Sequence, residues 1–312
     1  MRIGETVRAW AKKRGYHLAL GSISAIEEVR GSIQRRLESR EIDPVFYQEN
    51  LSIFTYLDGV KIELPRSIIV VAVPKPAHVL VFIMGDTRVE TILPPTYLGY
   101  RQTYVDVKDD LAQALAGSGF RVDLLNAPLK ALGSRLGLLS YGRNNIGYID
   151  GLGSYFQLVG LVSDMPIKNE EVPRGNQESL LQRCGKCRIC ATACPTGAIE
   201  KDRVLLHGEK CYTLFSESPS PIPDDLMPPS PRCLIGCLRC QELCPEDKGL
   251  LRYEDAAVSF EAEETEAFLG IKPAADGPAF GRALEKFQQL GLTEGLPVFR
   301  RNLRRLLGTT RK

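Results

Sequence analysis

Apolar side chains recur at helical intervals near the start of the chain. The periodic positions between residue 25 and about residue 40 are Ile26, Val29, Ile33 and Leu37. This spacing is typical of one face of an amphipathic helix. Ser24 and Glu27, at the start of this run, have the spacing of a capping box. Residues 1–65 are therefore predicted to be mainly helical.

Two β-prone apolar runs follow, at residues 67–73 and 78–84, with a short turn through Pro74 and Pro76 between them. The pattern predicts an antiparallel hairpin. Because the Pro-Lys-Pro turn interrupts the apolar stretch, we expect two short strands here and not a membrane span.

A helix, a strand, a second helix and a buried strand are predicted next. Helical periodicity covers about residues 102–116 and ends at glycines, residues 121–125 are β-prone, and Pro128 suits the first turn of a helix. The run Tyr155–Ser163 is apolar and β-prone. Since this order is neither a βαβ alternation nor all-β, the predicted fold class is α+β.

The composition changes in the second half of the chain. Residues 165–183 are polar and loop-like, and residues 218–231 hold six prolines, which favours an extended connection. An acidic helical pattern begins at residue 253 and leads to a final helix ending in RRNLRRLLGTTRK. These changes predict an α+β domain at 1–165, a cysteine-containing domain at 166–252 and a helical segment at 253–312.

Net charge and the N-terminal sequence narrow the class of protein. The 312-residue chain has a formal net charge of +2, which makes no general case for binding nucleic acid or an anionic membrane. The N-terminus lacks the apolar core of a secretory signal. We therefore expect a cytoplasmic protein, in which nine cysteines are poor candidates for disulfides.

All nine cysteines lie between Cys184 and Cys244. Four are in the stretch CGKCRICATACP, with the spacing C-x2-C-x2-C-x3-C-P. This is the bacterial ferredoxin run, whose fourth cysteine binds the other cluster of a pair. A partner motif, C-x2-C-x3-C-P, is present at residues 237–245. The spacing therefore predicts two [4Fe–4S] clusters.

Exchange of ligands between the two motifs assigns most of the cysteines. The first predicted cluster is held by Cys184, Cys187, Cys190 and Cys244. The second takes Cys194, Cys237 and Cys240 and needs one more thiolate, which the spacing alone leaves open between Cys211 and Cys233. A zinc site, which commonly uses paired CxxC units, and disulfides are the alternatives that this double pattern disfavours.

Residues 125–164 resemble the epoxyqueuosine reductase family, relatives of the reductive dehalogenases. The matching residues in LNAPLKALGSRLGLLSYGRNNIGYIDGLGSYFQLVGLVSD are Ala127-Pro128, Leu136-Gly137, Gly142-Arg143-Asn144 and Gly153-Ser154-Tyr155-Phe156. PRSIIVVAV, CYTLFSES, GCLRCQELCPE and PVFRRNLRRLLG are also similar to segments of that family.

The resemblance implies a fold and a set of cofactors. The fold would be a nitroreductase-like α+β domain that binds cobalamin, a ferredoxin-like domain with two [4Fe–4S] clusters and a short helical segment. The expected corrinoid-binding residues are Gly142, Arg143, Asn144, Gly153, Ser154 and Tyr155. The family takes its isolated cysteine as a ligand, which favours Cys211 and leaves Cys233 as the alternative.

The chain departs from the family where substrate chemistry is expected. The family's proton-donating Asp corresponds to Leu125, which carries no proton to donate, and Asp123 is the nearest candidate for a catalytic acid. The family's Arg-Asp-Tyr-His segment has no clear match, and Tyr100, Arg101 and Tyr104 are the polar residues in that region.

Three functions follow from these observations. The first is a cobalamin-dependent reductase of an epoxide or another electrophile, supplied with electrons by a ferredoxin or flavodoxin. The second is an electron-transfer or activating protein that reduces a corrinoid protein or another metalloenzyme. The third is a binding or maturation module with structural clusters. Arginines 300, 301, 304, 305 and 311 with Lys312 form a basic tail that either contacts tRNA phosphates or is a solvated helix face.

Overall fold

The computed structural model describes residues 3–167, 180–203, 205–228, 231–271 and 277–309. The helices are α1 (Ile3–Arg14), α2 (Ala25–Glu38), α3 (Pro44–Phe46), α4 (Tyr100–Leu115), α5 (Leu129–Arg135), α6 (Ile189–Ala193), α7 (Tyr212–Glu217), α8 (Arg239–Glu242), α9 (Ala262–Leu269), α10 (Pro278–Gln289) and α11 (Leu296–Thr309). The strands are β1 (His17–Ser22), β2 (Ser67–Pro74), β3 (His78–Met84), β4 (Thr87–Leu93), β5 (Val122–Leu124), β6 (Ser140–Tyr141), β7 (Gly147–Tyr148), β8 (Phe156–Ser163) and β9 (Val258–Phe260).

The chain forms two compact units that are discontinuous in sequence. The first contains residues 1–74, 101–188 and 199–209, and the second contains residues 75–100, 189–198 and 210–312. This division differs from the three consecutive segments predicted above, because residues 75–100 and the C-terminal segment pack into the same unit. No helix among the described residues is long and apolar enough to cross a membrane.

A four-stranded antiparallel sheet, in the order β1-β2-β8-β5, is the centre of the first unit. Ile69 and Val71 of β2 pack with residues of α1 and α4, whereas Ile68 and Val70 pack with residues of α2 and α5. Because both faces are covered, β2 is an unbroken apolar run instead of an alternating one. The strand predicted at 155–163 is confirmed as β8.

A smaller sheet in the second unit has the order β4-β3-β9. Strand β3 pairs antiparallel with β4 and parallel with β9. The aromatic rings of Phe82 and Phe260 stack with centroids 4.5 Å apart, and Phe287 of α10 lies against Phe260. Burial of these rings fixes β9 and the C-terminal helices to the hairpin β3–β4.

One strand pairing and one helix prediction were wrong. Residues 67–73 and 78–84 do not form a hairpin with each other, since β2 pairs with β1 and β8 while β3 pairs with β4. The true hairpin turns at Gly85, whose φ of +57° suits the first position of a two-residue turn. Residues 1–65 are also less helical than predicted, because β1 forms an edge of the large sheet.

Helix α2 is confirmed, but its capping box is not. Ser24 has helical φ and ψ and makes no side-chain cap. Its hydroxyl instead donates a hydrogen bond to Ser22 Oγ over 3.1 Å. The acidic segment after residue 253 is likewise only partly helical, because β9 precedes α9. A capping box is present there, between Glu261 and Glu264.

Candidate iron–sulfur centre

The cysteine motifs lie at the ends of very short helices. Helix α6 follows Cys187, α7 begins after its N-cap Cys211, and α8 contains Cys240. Short helical turns let the chain reverse direction between ligands, which suits a compact cluster. None of the nine cysteines forms a disulfide.

Burial, with a smaller contribution from neighbouring thiolates, raises the pKa of three thiols of the second unit, Cys211, Cys237 and Cys240. Burial raises the pKa of Cys237 to about 11, and the thiolates of Cys211 and Cys194 add to the rise. Burial also holds the pKa of Cys240 well above its usual value, and the thiolates of Cys237, Cys211, Cys190 and Cys194 contribute. Cys194 and Cys211 are thus among the cysteines that influence both Cys237 and Cys240.

This environment fits a metal cluster better than four free thiols. Buried thiolates that repel one another are unfavourable unless a positive centre compensates their charge. Bound iron supplies such a charge and holds coordinating thiols deprotonated. The chemistry of these thiols therefore suits iron ligands, and their assignment to the second [4Fe–4S] cluster stays a prediction.

Cys233 has a different setting. It is 5% exposed, and the segment that carries it pairs with the edge strand β4. The Ile92 N–H donates to the carbonyl of Arg232 over 2.8 Å, and the Leu234 N–H donates to the carbonyl of Ile92 over 3.1 Å. Burial raises the pKa of Cys233 to about 12. Cys233 is thus held in a strand-like segment at the sheet edge.

The first predicted ligand set is divided between the two units. Cys184 and Cys187 belong to the first unit, and Cys190 and Cys244 belong to the second. Within the first unit, the guanidinium of Arg143 donates to the carbonyl of Cys184 over 2.7 Å. Arg188 donates to the carbonyls of Cys184 and Cys187 over 3.2 and 3.0 Å. These arginines hold the loop that carries the first two cysteines.

The residues predicted to contact a corrinoid lie in two turns, one between β6 and β7 and one between β7 and β8. All six are buried within the protein: Gly142, Arg143, Asn144, Gly153, Ser154 and Tyr155.

Contacts and backbone conformation within the protein explain why glycine occupies positions 142 and 153. A Cβ at Gly142 would meet Asn144 Oδ1 at 2.5 Å and a ring carbon of Tyr148 at 2.6 Å. Gly153 has a φ of +69° and exchanges backbone hydrogen bonds with Ile149. Both glycines are therefore required by the turns themselves, and their contact with a corrinoid stays a prediction.

Leu125 is part of the apolar core of the first unit. It is 2% exposed, and its N–H donates to the carbonyl of Gly160 over 2.9 Å. The carboxylate of Asp123 accepts hydrogen bonds from the backbone N–H groups of Lys61 and Leu124, each over 2.8 Å. The hydrogen bonds of Asp123 therefore join β5 to the segment around residue 61.

The sequence indicates three arginines but not their hydrogen bonds to backbone carbonyls. Arg143, a predicted corrinoid contact, donates to the carbonyls of Cys184 and Lys201. Arg301 and Arg304, assigned to a basic tail, donate to carbonyls at the ends of α7 and α9. Arg311 and Lys312 lie outside the described residues. The sequence feature that could have indicated such contacts is Asn302, a polar residue on the apolar face of α11.

Comparison with known proteins agrees with the cysteine chemistry. Residues 183–247 match the model of the 4Fe–4S double cluster binding domain. The epoxyqueuosine reductase of Pseudomonas aeruginosa is 26% identical over 98% of this chain and 83% of its own length. That of Staphylococcus aureus is 29% identical, but the match spans only 40% of this chain and 31% of the relative.

The fold is similar to solved structures of the same enzymes. Epoxyqueuosine reductase from Streptococcus thermophilus superposes with a TM-score of 0.71 at 19% identity, covering 100% of this chain and 82% of its own. An epoxyqueuosine reductase solved with a tRNA-Tyr epoxyqueuosine-modified stem loop has a TM-score of 0.68 at 17% identity, covering 98% and 81%. The chain therefore carries a 4Fe–4S double cluster binding domain within an α+β fold and is similar to the epoxyqueuosine reductases along nearly its whole length.

Proposed function

We propose that this protein is an iron–sulfur reductase similar to epoxyqueuosine reductase. It passes electrons from two [4Fe–4S] clusters to a corrinoid, for the reduction of an epoxide or another electrophilic substrate. The main support is the double cluster binding domain at residues 183–247, in a chain that resembles epoxyqueuosine reductases from end to end. The corrinoid rests on that resemblance, and its proposed contacts are Gly142, Arg143, Asn144, Gly153, Ser154 and Tyr155.

The ligands of the second cluster are proposed to be Cys194, Cys211, Cys237 and Cys240. The motif spacing, the resemblance to the epoxyqueuosine reductase family and the double cluster binding domain at residues 183–247 support this set. The pairing of the Cys233 segment with β4 supports a structural role for Cys233. The first cluster is proposed to use Cys184, Cys187, Cys190 and Cys244, on the support of the motif spacing.

When bound, the clusters supply one-electron transfer. The protein's own residues hold the cysteines, and the potential of such clusters depends on burial and on hydrogen bonds to sulfur. Arg143 and Arg188 contribute by holding the carbonyl of Cys184. Electrons are proposed to enter from a ferredoxin or a flavodoxin.

The proposed substrate class is a modified tRNA base that carries an epoxide. Similarity to an epoxyqueuosine reductase solved with a tRNA stem loop supports it. The basic tail supports it less, because Arg301 and Arg304 already bind backbone carbonyls.

Asp123 is the proposed proton donor in the absence of an acid at position 125. Its carboxylate accepts two backbone hydrogen bonds, so its removal also affects structure. Asp123→Asn should abolish turnover and leave both clusters in place, while the loss of one backbone hydrogen bond lowers the unfolding midpoint. Normal turnover with a lowered midpoint would assign Asp123 to structure alone.

Anaerobic purification followed by metal and turnover analysis tests the proposed function. About eight irons per chain are expected from two four-iron clusters. Titration with hydroxocobalamin should change its absorption spectrum, and reduced protein should convert epoxyqueuosine-containing tRNA. A chain without iron would refute the cluster assignment, and an unchanged cobalamin spectrum would refute the corrinoid.

Leu125 favours a second candidate, an electron-transfer or activating protein without substrate chemistry. The side chain is buried and apolar where the related enzymes are expected to carry an acid. This candidate predicts two redox-active clusters that reduce a corrinoid protein or another metalloenzyme. Turnover of epoxyqueuosine-containing tRNA by the purified, reduced protein would exclude it.

A further inference from the structure

Asn302 is a polar residue on the apolar face of α11. Its helical neighbours on that face, Phe299, Leu303 and Leu306, belong to the core of the second unit. Asn302 itself is 3% exposed. A buried amide is costly unless its hydrogen-bonding groups are satisfied, so its partners explain why it is tolerated there.

Each polar atom of the Asn302 amide has a partner. The amide nitrogen donates to the carbonyl of Ser216 and to the carbonyl of Leu234, each over 2.9 Å. The amide oxygen accepts from Nε and Nη2 of Arg301 over 3.1 and 3.0 Å. Because both of the first two partners are carbonyls, only the NH₂ group fits on that side.

Arg301 extends this contact along the end of α7. Its guanidinium donates to the carbonyls of Phe215 and Ser218 over 2.9 and 2.6 Å. The last carbonyls of a helix lack partners within the helix, and a cation is favourable beside them. Arg301 therefore holds the C-terminal end of α7.

The two segments joined by this pair each carry a proposed ligand of the second cluster. Cys211 is the N-cap of α7, whose last turn contains Ser216. Leu234 lies three residues before Cys237 in the chain. A further bond, from the Gly236 N–H to Ser216 Oγ over 2.8 Å, joins the same two segments. The Cys211 segment is thus attached to the Cys237 segment on the side of α11.

We propose that Arg301 and Asn302 are positioning residues for the second cluster, setting the place of Cys211 relative to Cys237. The inference rests on the proposed cluster role of these cysteines. The inference also explains how Cys211, which lies outside the ferredoxin-like motif, is held in place. An isolated cysteine needs contacts of its own to fix its position, and Arg301 and Asn302 of α11 supply them.

Variants of the pair test the inference in the anaerobically purified full chain. In Asn302→Ala both bridging donors are lost, and in Arg301→Gln the contacts to the end of α7 are lost. We expect each variant to lose about four of about eight irons, or to shift the electron paramagnetic resonance signal and midpoint potential of one cluster only. The other cluster should keep its wild-type signal.

Two control variants separate positioning from general stability. Arg304→Gln removes a guanidinium of the same helix that binds the carbonyl of Leu269, away from the cysteine segments. Thr265→Ala removes a buried hydrogen bond to the carbonyl of Phe260. Both controls should keep the iron content and both signals.

Unchanged clusters in Asn302→Ala and Arg301→Gln would overturn the inference while the proposed function stood. Equal loss of both clusters, or the same loss in the controls, would also overturn it. If Asn302→Ala does not fold, Arg301→Gln decides alone. A wild-type chain without iron would overturn the proposed function, and the inference with it.

Discussion

Gly236 directly precedes Cys237, a proposed cluster ligand. Its backbone conformation and its close contact with Tyr97 both disfavour a side chain at this position. Its φ is +75°, a region that costs an L-residue about 1–2 kcal/mol. A Cβ there would also meet the Tyr97 hydroxyl at 2.6 Å and a ring carbon at 2.8 Å. Overpacking of this kind costs about 1–3 kcal/mol. Gly236→Ala should therefore destabilise the protein by about 2–5 kcal/mol.

Gly249 provides a matched control, because its φ is +76° and nothing lies within 4 Å of the position that a Cβ would occupy. Gly249→Ala should cost only the backbone strain, about 1–2 kcal/mol. The difference between the variants, about 1–3 kcal/mol, corresponds to about 0.5–1.5 M in the urea midpoint for an m-value of about 2 kcal/mol per molar.

Urea unfolding under anaerobic conditions, followed by circular dichroism, measures this difference. In a Tyr97→Ala background the ring is absent, so Gly236→Ala should cost no more than Gly249→Ala. Equal midpoints for the two single variants would refute the clash, and an unrelieved cost in the double variant would refute its assignment to Tyr97.

The remaining predictions concern the ninth cysteine and a buried carboxylate. Cys211→Ser should remove one cluster, about four irons, whereas Cys233→Ser should keep both; the reverse result in iron analysis would assign Cys233 as the ligand. Burial opposes ionisation of Glu264, but hydrogen bonds from Lys286, the Glu261 backbone and Arg282 outweigh it and hold its pKa below the usual value. Its stabilising effect is thus complete above the unfolded pKa of about 4.3 and is lost as pH falls through the lower folded value. Glu264→Gln should weaken this acid dependence of the unfolding midpoint, and an unchanged dependence would contradict the assignment.

The cysteine chemistry was readable from the sequence because ligand spacing is a local property. Three-residue steps between Cys184, Cys187 and Cys190, followed by a cysteine before proline, are set by the geometry of a cluster and not by the rest of the fold. The double cluster binding domain at residues 183–247 confirms that interpretation. The cysteine spacing could not decide whether Cys211 or Cys233 is the remaining ligand, because that choice depends on where α7 and the edge of β4 lie.

Strand pairing was the property that the local pattern did not decide. The run at 67–73 was correctly predicted as a strand, yet its partners are β1 and β8, far away in the chain. Strand β9 was hidden in an acidic helical pattern, because it is three residues long and is stabilised by stacking on Phe82. Such elements owe their stability to tertiary contacts more than to their own propensity.

Residue types and their spacing are enough to identify two cluster motifs, an α+β composition and an apolar residue at position 125. The folded chain was needed to find that Asn302 bridges two cysteine segments, that Arg301 binds backbone carbonyls, and that Gly236 faces Tyr97. Hydrogen bonds and close packing join residues that are distant in the chain, so these partners meet only after folding.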